Sequence, residues 1–129
     1  MAVPGVPLHA LLDKIPSNVD VEYIKIDAQG YDLEVMKGAL PASDRIQVVS
    51  LEAMDVTDKS KLLYHGQPTL DDIKATLEKE KWHFVQSIGN RGVSGEVNPF
   101  FVANDTYIPK VPLLAKMLMS NKEGEAKEK

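Results

Sequence analysis

The chain has 129 residues, enough for one domain with a substantial core and too few for two. Its net charge of −4 and the absence of a basic stripe argue against nucleic-acid binding. The lack of cysteine excludes disulfides and thiolate chemistry. The sequence has neither a secretory signal pattern nor an apolar run of about 20 residues that could span a bilayer. These features predict a soluble, cytoplasmic protein without a membrane or nucleic-acid partner.

The first third of the chain alternates between helical and strand-like patterns. Apolar residues with the spacing of one helical face occur between Leu8 and Ile15, and Pro16 ends this pattern. Val19–Asp27 is rich in β-branched and aromatic residues, with apolar side chains on both faces, which predicts a strand covered on both sides. A glycine then leads into a second amphipathic helix, which we expect to end at Pro41.

A second strand and a third helix are predicted in the middle of the chain. Ile46–Ala53 repeats the buried-strand pattern. The loop that follows, Met54–Gln67, is long enough to have a functional role. Thr69 and Asp72 have the spacing of a capping box, which predicts a helix that begins there and runs to about residue 82.

The last third predicts a hairpin, a short helix and a tail. Phe84–Ile88 and Phe100–Ala103 are strand-like, and the turn between them is too short for a crossover helix, so this pair should be antiparallel. Val111–Met119 predicts one short helix, and residues 120–129 predict a disordered, charged tail. The expected architecture is α/β: parallel strands with a C-terminal antiparallel hairpin at one edge, and helices on both faces.

Two acidic residues end the two successive strands of the predicted sheet. If the strands are parallel neighbours, about 4.8 Å apart, Asp27 and Glu52 lie at the same edge, where open α/β sheets bind ligands. Such a pair could bind a cation, orient hydroxyl or amine groups, or transfer a proton. The alternative is that Asp27 only caps the turn into the next helix and Glu52 is solvated.

Other candidate residues carry weaker signals. Gly30 stands alone, whereas a phosphate-binding loop needs several glycines. Glycines 89, 92 and 95 precede a strand rather than a helix, which favours a hairpin loop. His65 lies in the loop that leaves the Glu52 end of the sheet, so it is either a general base or an exposed loop residue.

The segment Tyr23–Leu40 resembles the signature of FkbM-like methyltransferases. In that signature a Lys-Ile-Asp-x-(Glu/Gln)-Gly strand end runs into a helix that ends in Lys-Gly-Ala. The matching residues are Lys25, Ile26, Asp27, Gln29, Gly30, Leu33, Glu34, Val35, Lys37, Gly38 and Ala39. Asp32 stands where the family more often has glutamate. The resemblance extends over most of residues 6–104.

The resemblance implies a Rossmann-like class I fold and methyl transfer from S-adenosylmethionine, usually to an oxygen of a small molecule or glycan. It implies that Asp27, at the end of the fourth strand, contacts the cofactor together with Gln29 and Gly30. It also implies that Glu52, at the end of the fifth strand, lines the acceptor side. The candidate catalytic residues are therefore Asp27, Glu52 and His65, the last as the base for a hydroxyl acceptor.

The family's first strand, glycine-rich loop and ribose-binding acid precede this signature, and nothing upstream of Leu8 matches them. We therefore expect the chain to be a fragment, resembling strands four to seven of the domain, and to be inactive by itself. The strand over residues 21–27 should then form an open sheet edge that promotes self-association. Two alternatives stay open: a non-catalytic module that pairs through this edge, and a metal-dependent hydrolase that uses the two acids.

Overall fold

The computed structural model describes residues 5–62, 66–89 and 95–128. In these residues five strands form one sheet, and four helices pack against it. In chain order they are α1 Leu8–Leu12, β1 Val21–Lys25, α2 Asp32–Ala39, β2 Ile46–Ser50, β3 Ala53–Met54, α3 Leu70–Lys79, β4 His83–Gly89, β5 Glu96–Val102 and α4 Val111–Glu128. Short 3-10 helices occupy Leu40–Arg45, Lys59–Lys61 and Asp105–Lys110.

The sheet combines one parallel pair with an antiparallel hairpin. β1 and β2 are parallel, with Val21 opposite Ile46, and β5 is antiparallel to both β2 and β4. The order is therefore β1-β2-β5-β4, and the short β3 pairs with β5 beyond the end of β2. The predicted parallel pair and hairpin are confirmed. The last strand in sequence is an inner strand of the sheet, and among the described residues β4 and β1 lie at its opposite edges.

Alternating side chains of the inner strands build a core on each face of the sheet. Val49 and Phe101 belong to the core beneath α1, α2 and α3. Val48 and Phe100 belong to a second core that α4 covers with Val111 and neighbouring apolar residues. Because successive side chains of a strand point to opposite faces, β2 and β5 contribute to both cores. This confirms the prediction of helices on both faces.

The second strand is interrupted where the prediction made it continuous. Leu51 donates its N–H to the carbonyl of Pro99 at 3.3 Å, but a proline has no N–H to return. The ladder therefore breaks after Ser50 and resumes in β3 at Ala53. Glu52 lies in this break, outside regular strand structure.

Three helices have other limits than the pattern predicted. α1 ends at Leu12, before the predicted stop at Pro16. α3 ends at Lys79, and Lys81 has a positive φ of 67°, so the chain turns before Trp82. α4 continues to Glu128, so residues 120–128 are helical where we expected a disordered tail. Glutamate, lysine and alanine dominate that stretch and are strong helix formers, so a lack of apolar residues does not exclude a helix.

Arg45 fastens the connection between α1 and β1 at the amino end of the sheet. Its guanidinium donates hydrogen bonds to the carbonyl oxygens of Leu12, Ile15, Pro16 and Val19, at 2.6, 2.8, 2.5 and 2.7 Å. A guanidinium has five N–H donors in a fixed plane, which suits such a set of acceptors. The last turn of α1 and the loop that follows are thereby held against the start of β2.

Candidate functional site

The two strand-ending acids leave the sheet at its carboxyl edge. The ladder between β1 and β2 extends to a bond of 2.9 Å from the Ile26 N–H to the Ser50 carbonyl. One residue later, Asp27 is exposed, and Glu52 is half-buried two residues after Ser50. The structure therefore places both acids at the edge where we expected them. Their catalytic and cofactor-binding roles stay predictions.

The turn between β1 and α2 has a left-handed backbone at two successive residues. Gln29 has a φ of 47° and Gly30 a φ of 101°. Glycine adopts this conformation without penalty, whereas a residue with a side chain pays about 1 kcal/mol. The exposed Gln29 side chain and half-buried Gly30 thus lie in a tight turn directly after Asp27. Such a turn needs support from outside itself to stay in one conformation.

Asp32 supplies that support from the first turn of α2. Its side chain is buried, with a residue exposure of 1%. One carboxylate oxygen accepts the N–H of Ala28 at 2.9 Å, inside the turn after β1. The other accepts the N–H of Glu52 at 2.8 Å, after β2. A single carboxylate therefore ties together the two segments that carry Asp27 and Glu52.

The surroundings of this carboxylate oppose its ionisation. Burial raises the pKa of Asp32 to about 6, against the lowering effect of the Ala28 N–H bond. The negative charge of Asp27 raises this pKa further, and the positive charge of Lys25 lowers it. Asp32 thus titrates in a range where most aspartates are fully ionised.

Asp32 was interpreted above only as a departure from the family signature. Its spacing contains a stronger signal, because Asp32, Met36 and Ala39 occur at i, i+4 and i+7 and are all buried. An acid in line with the apolar face of a helix has to find hydrogen-bond donors within the fold. Asn98 is a further buried polar residue, on β5, and it was not singled out either.

The loop after β3 borders a shallow concavity of about 300 Å³. It is lined by Asp55, Val56, Thr57, Asp58, Lys61 and Asp71. The Asp55 N–H donates to the carbonyl of Gly95 at 2.7 Å, which fixes the start of this loop to the hairpin. His65, the predicted base, lies outside the described residues.

Within the described ranges, no group of three or more histidine or acidic side chains could hold a metal ion. The metal-dependent hydrolase alternative therefore has no ligand set to support it there. No helix in the described part of the chain is long and apolar enough to cross a membrane.

Comparison with known proteins points to one family. Residues 1–85 of the 129 match the family model described as Methyltransferase FkbM domain. The match includes β1, β2, α2 and the segments that Asp32 joins. No curated protein and no solved structure matches the chain significantly.

Proposed function

The chain belongs to the FkbM methyltransferase family, and from this premise we propose that it serves in methyl transfer from S-adenosylmethionine to an oxygen of a small-molecule or glycan acceptor. We propose further that its fold is of the Rossmann-like class I type. In this assignment β1 and β2 are the fourth and fifth strands, and the β4–β5 hairpin supplies the last two. A cytoplasmic location is part of the same proposal.

The observation that carries the proposal is the joint position of the two strand-ending acids. Asp27 and Glu52 leave parallel neighbouring strands at the carboxyl edge of the sheet, and one buried carboxylate holds both segments. Ligands of open α/β sheets bind at that edge. The family match covers both strand ends.

The residues at this edge suit the chemistry of the cofactor. An exposed carboxylate such as Asp27 can accept hydrogen bonds from ribose hydroxyls or from an amino group. Negative charge at the edge also attracts a sulfonium cation. When bound, S-adenosylmethionine supplies an electrophilic methyl group. The turn at Gln29 and Gly30 brings backbone close to Asp27, so these three residues are our candidates for one wall of the cofactor site.

The acceptor side of the site is assigned to the segment beyond Glu52. The concavity beside Asp55 and Asp58 opens next to this segment and has three aspartates and one lysine in its lining. Side chains of this kind form hydrogen bonds with hydroxyl-rich molecules. We keep Glu52 and His65 as candidates for orienting and deprotonating an acceptor hydroxyl.

Calorimetric titration of the full chain with S-adenosylmethionine tests the proposal. Asp27→Asn should weaken binding about tenfold, the equivalent of one lost hydrogen bond to a charged group. Asp44→Asn is the matched control, because it removes the same charge from an exposed position near the amino end of the sheet. The control should bind as tightly as the wild type.

Three results are informative. Equal affinities of Asp27→Asn and wild type would remove Asp27 from the cofactor site. Binding that appears only after a segment with a strand and a glycine-rich loop is added would show that this chain supplies one part of the site. An absence of heat up to about 1 mM cofactor, with and without that segment, would overturn the proposal.

One observation favours the second candidate, a module that acts by strand pairing. Within the described part of the chain, β1 has β2 as its only strand neighbour and is an edge of the sheet. An open edge offers unpaired backbone groups to another strand. Sedimentation at a few tens of micromolar, roughly the range in which exposed edges associate, tests this candidate. A strictly monomeric chain would exclude self-pairing.

A further inference from the structure

We propose that Asp32 is a positioning residue of the site, which sets the geometry of both strand-ending segments through its two backbone hydrogen bonds. The inference rests on the proposed function for its meaning, since Asp27 and Glu52 matter only if they contact cofactor and acceptor. Its structural part stands on geometry alone. The resemblance to the family, as described above, assigns no role to Asp32.

The contacts of Asp32 join two segments that lie beyond the end of the ladder between β1 and β2. Its partners, Ala28 and Glu52, are 4 and 20 residues away in sequence, and each bonds to a different carboxylate oxygen. Glu52 lies in the break between β2 and β3, where the strand ladder does not fix its backbone. Ala28 precedes the left-handed pair of residues in the turn. The Asp32 side chain thus links two irregular segments.

An ionised carboxylate suits both links, and a neutral carboxyl does not. Two backbone N–H groups point at the two oxygens, so each oxygen has to act as an acceptor. Protonation turns one oxygen into a hydroxyl, which is a weaker acceptor for its N–H partner than a carboxylate oxygen. One of the two links must therefore weaken when Asp32 gains a proton, and the corresponding segment is released.

The charged groups around Asp32 come from β1 and the turn that follows it. Asp27 disfavours the ionised carboxylate and Lys25 favours it. The N-terminal position of Asp32 on α2 also favours ionisation, through the helix dipole. A cationic ligand close to Asp27 would neutralise the charge that disfavours ionisation. Binding of such a ligand should therefore strengthen both links, which couples the site to the position of Glu52.

Amide signals in ¹H–¹⁵N spectra of the full chain, recorded from about pH 4 to pH 8, test the links directly. The Ala28 and Glu52 amides should shift together with one common midpoint. The Ser60 amide is an internal control, because it donates to Asp58, an exposed carboxylate whose hydrogen bonds to Ser60 lower its pKa. Its midpoint should fall below this pH range, so its signal should change little across it. Separate midpoints for Ala28 and Glu52, or no shift of either, would overturn the inference.

Two variants connect the links to the site. Asp32→Asn keeps the size of the side chain but cannot accept at both positions, so it should bind S-adenosylmethionine about tenfold more weakly and lose the pH dependence of binding. Asp32→Glu keeps the carboxylate and should recover part of the affinity and the pH dependence. Wild-type affinity in Asp32→Asn, with an unchanged pH profile, would contradict a positioning role.

The outcomes separate this inference from the proposed function. If the wild type binds no cofactor at any pH, the proposed function fails, and the amide titration still decides whether Asp32 holds both segments. If Asp32→Asn does not fold, the wild-type protein alone is sufficient. Its cofactor affinity should then change with the same midpoint as the two amides, and an affinity independent of pH would overturn the inference.

Discussion

The loops at the two ends of the sheet are each held by one charged side chain, and the two side chains have opposite charges. At the amino end, the Arg45 cation donates to four backbone carbonyls of the α1–β1 connection. At the carboxyl end, the Asp32 anion accepts two backbone N–H groups from the segments after β1 and β2. Each device uses one charged side chain to hold irregular backbone. They differ in burial, in the number of bonds and in whether the charge can be lost.

Because of this difference, the contacts at one end of the sheet are permanent, whereas those at the other end change with pH. A guanidinium stays protonated in proteins, so the Arg45 contacts persist at any pH at which the chain folds. The Asp32 carboxylate has its pKa raised to about 6 by burial, so its charge varies in the physiological range. The contacts at the amino end are therefore independent of pH, while those at the carboxyl end, next to the candidate site, depend on it.

Loss of Arg45 should have the largest effect on stability. Arg45→Ala removes four charge-assisted hydrogen bonds, but water can replace part of them at this half-buried position. We expect the free energy of unfolding in urea to fall by about 3 kcal/mol. Arg45→Lys keeps the charge without the planar fork and should recover only part of the loss. Equal stability of Arg45→Lys and wild type would show that the charge, and not the set of bonds, holds the loop.

The pH dependence of stability should reveal the Asp32 carboxylate. Its pKa of about 6 in the folded protein exceeds the value of about 3.9 of an unfolded chain. The folded state therefore binds this proton more tightly, and the stabilisation by the proton is complete below about pH 4 and lost as the pH rises through 6. The free energy of unfolding of the wild type relative to Asp32→Asn should fall by about 2 kcal/mol across that window.

The comparison with Asp32→Asn removes the contribution of the other titrating groups. A difference in stability that is constant from about pH 4 to pH 7 would show that Asp32 has an ordinary pKa. A difference that grows in the opposite direction would show that the two N–H bonds outweigh burial. Either result would mean that Asp32, like Arg45, stays charged over most of this pH range.

The smallest effect concerns a glycine at the carboxyl end. Gly95 has a φ of +83°, and a Cβ there would lie 3.0 Å from Val56 Cγ1. Gly95→Ala should lower the free energy of unfolding by about 1–2 kcal/mol, from backbone strain and this close contact. Gly89→Ala is the matched control, because a Cβ at Gly89 meets nothing within 4 Å. Thermal unfolding that is equally affected in both variants would show that the contact has no role.

Local signals in the sequence predicted much of the fold. The capping box at Thr69 and Asp72 forms as its spacing indicated, because both partners lie within four residues. The apolar pattern of β2 predicted its burial on two faces, because the alternation of side chains along a strand is a local property of the sequence. β1 fits the same prediction only in part, since its apolar residues are half-buried at the edge of the sheet. The break after Ser50 was not predictable, because it depends on Pro99, which lies 48 positions after its partner Leu51 and comes near only through the folded pairing.

The candidate site likewise has features that the sequence predicted and features that depend on distant partners. The position of Asp27 and Glu52 at one edge followed from two strands that end in acids. The role of Asp32 did not, because an acid in the first turn of a helix is already explained by the helix dipole. Its second partner, the Glu52 N–H, is 20 residues away. The same holds for Arg45, whose carbonyl partners precede it by 26 to 33 residues.

The inner position of β5 has a consequence for the order in which the protein is built. β2 leaves the ribosome before its antiparallel neighbour β5, which ends at Val102. Until then one side of β2 lacks the partner that completes the sheet, and the apolar residues of α4 are still to come. Pairing over so many residues is slow to form because a long loop must close first. The growing chain therefore exposes the open side of β2 during this interval, and an unpaired strand edge can pair with a wrong partner.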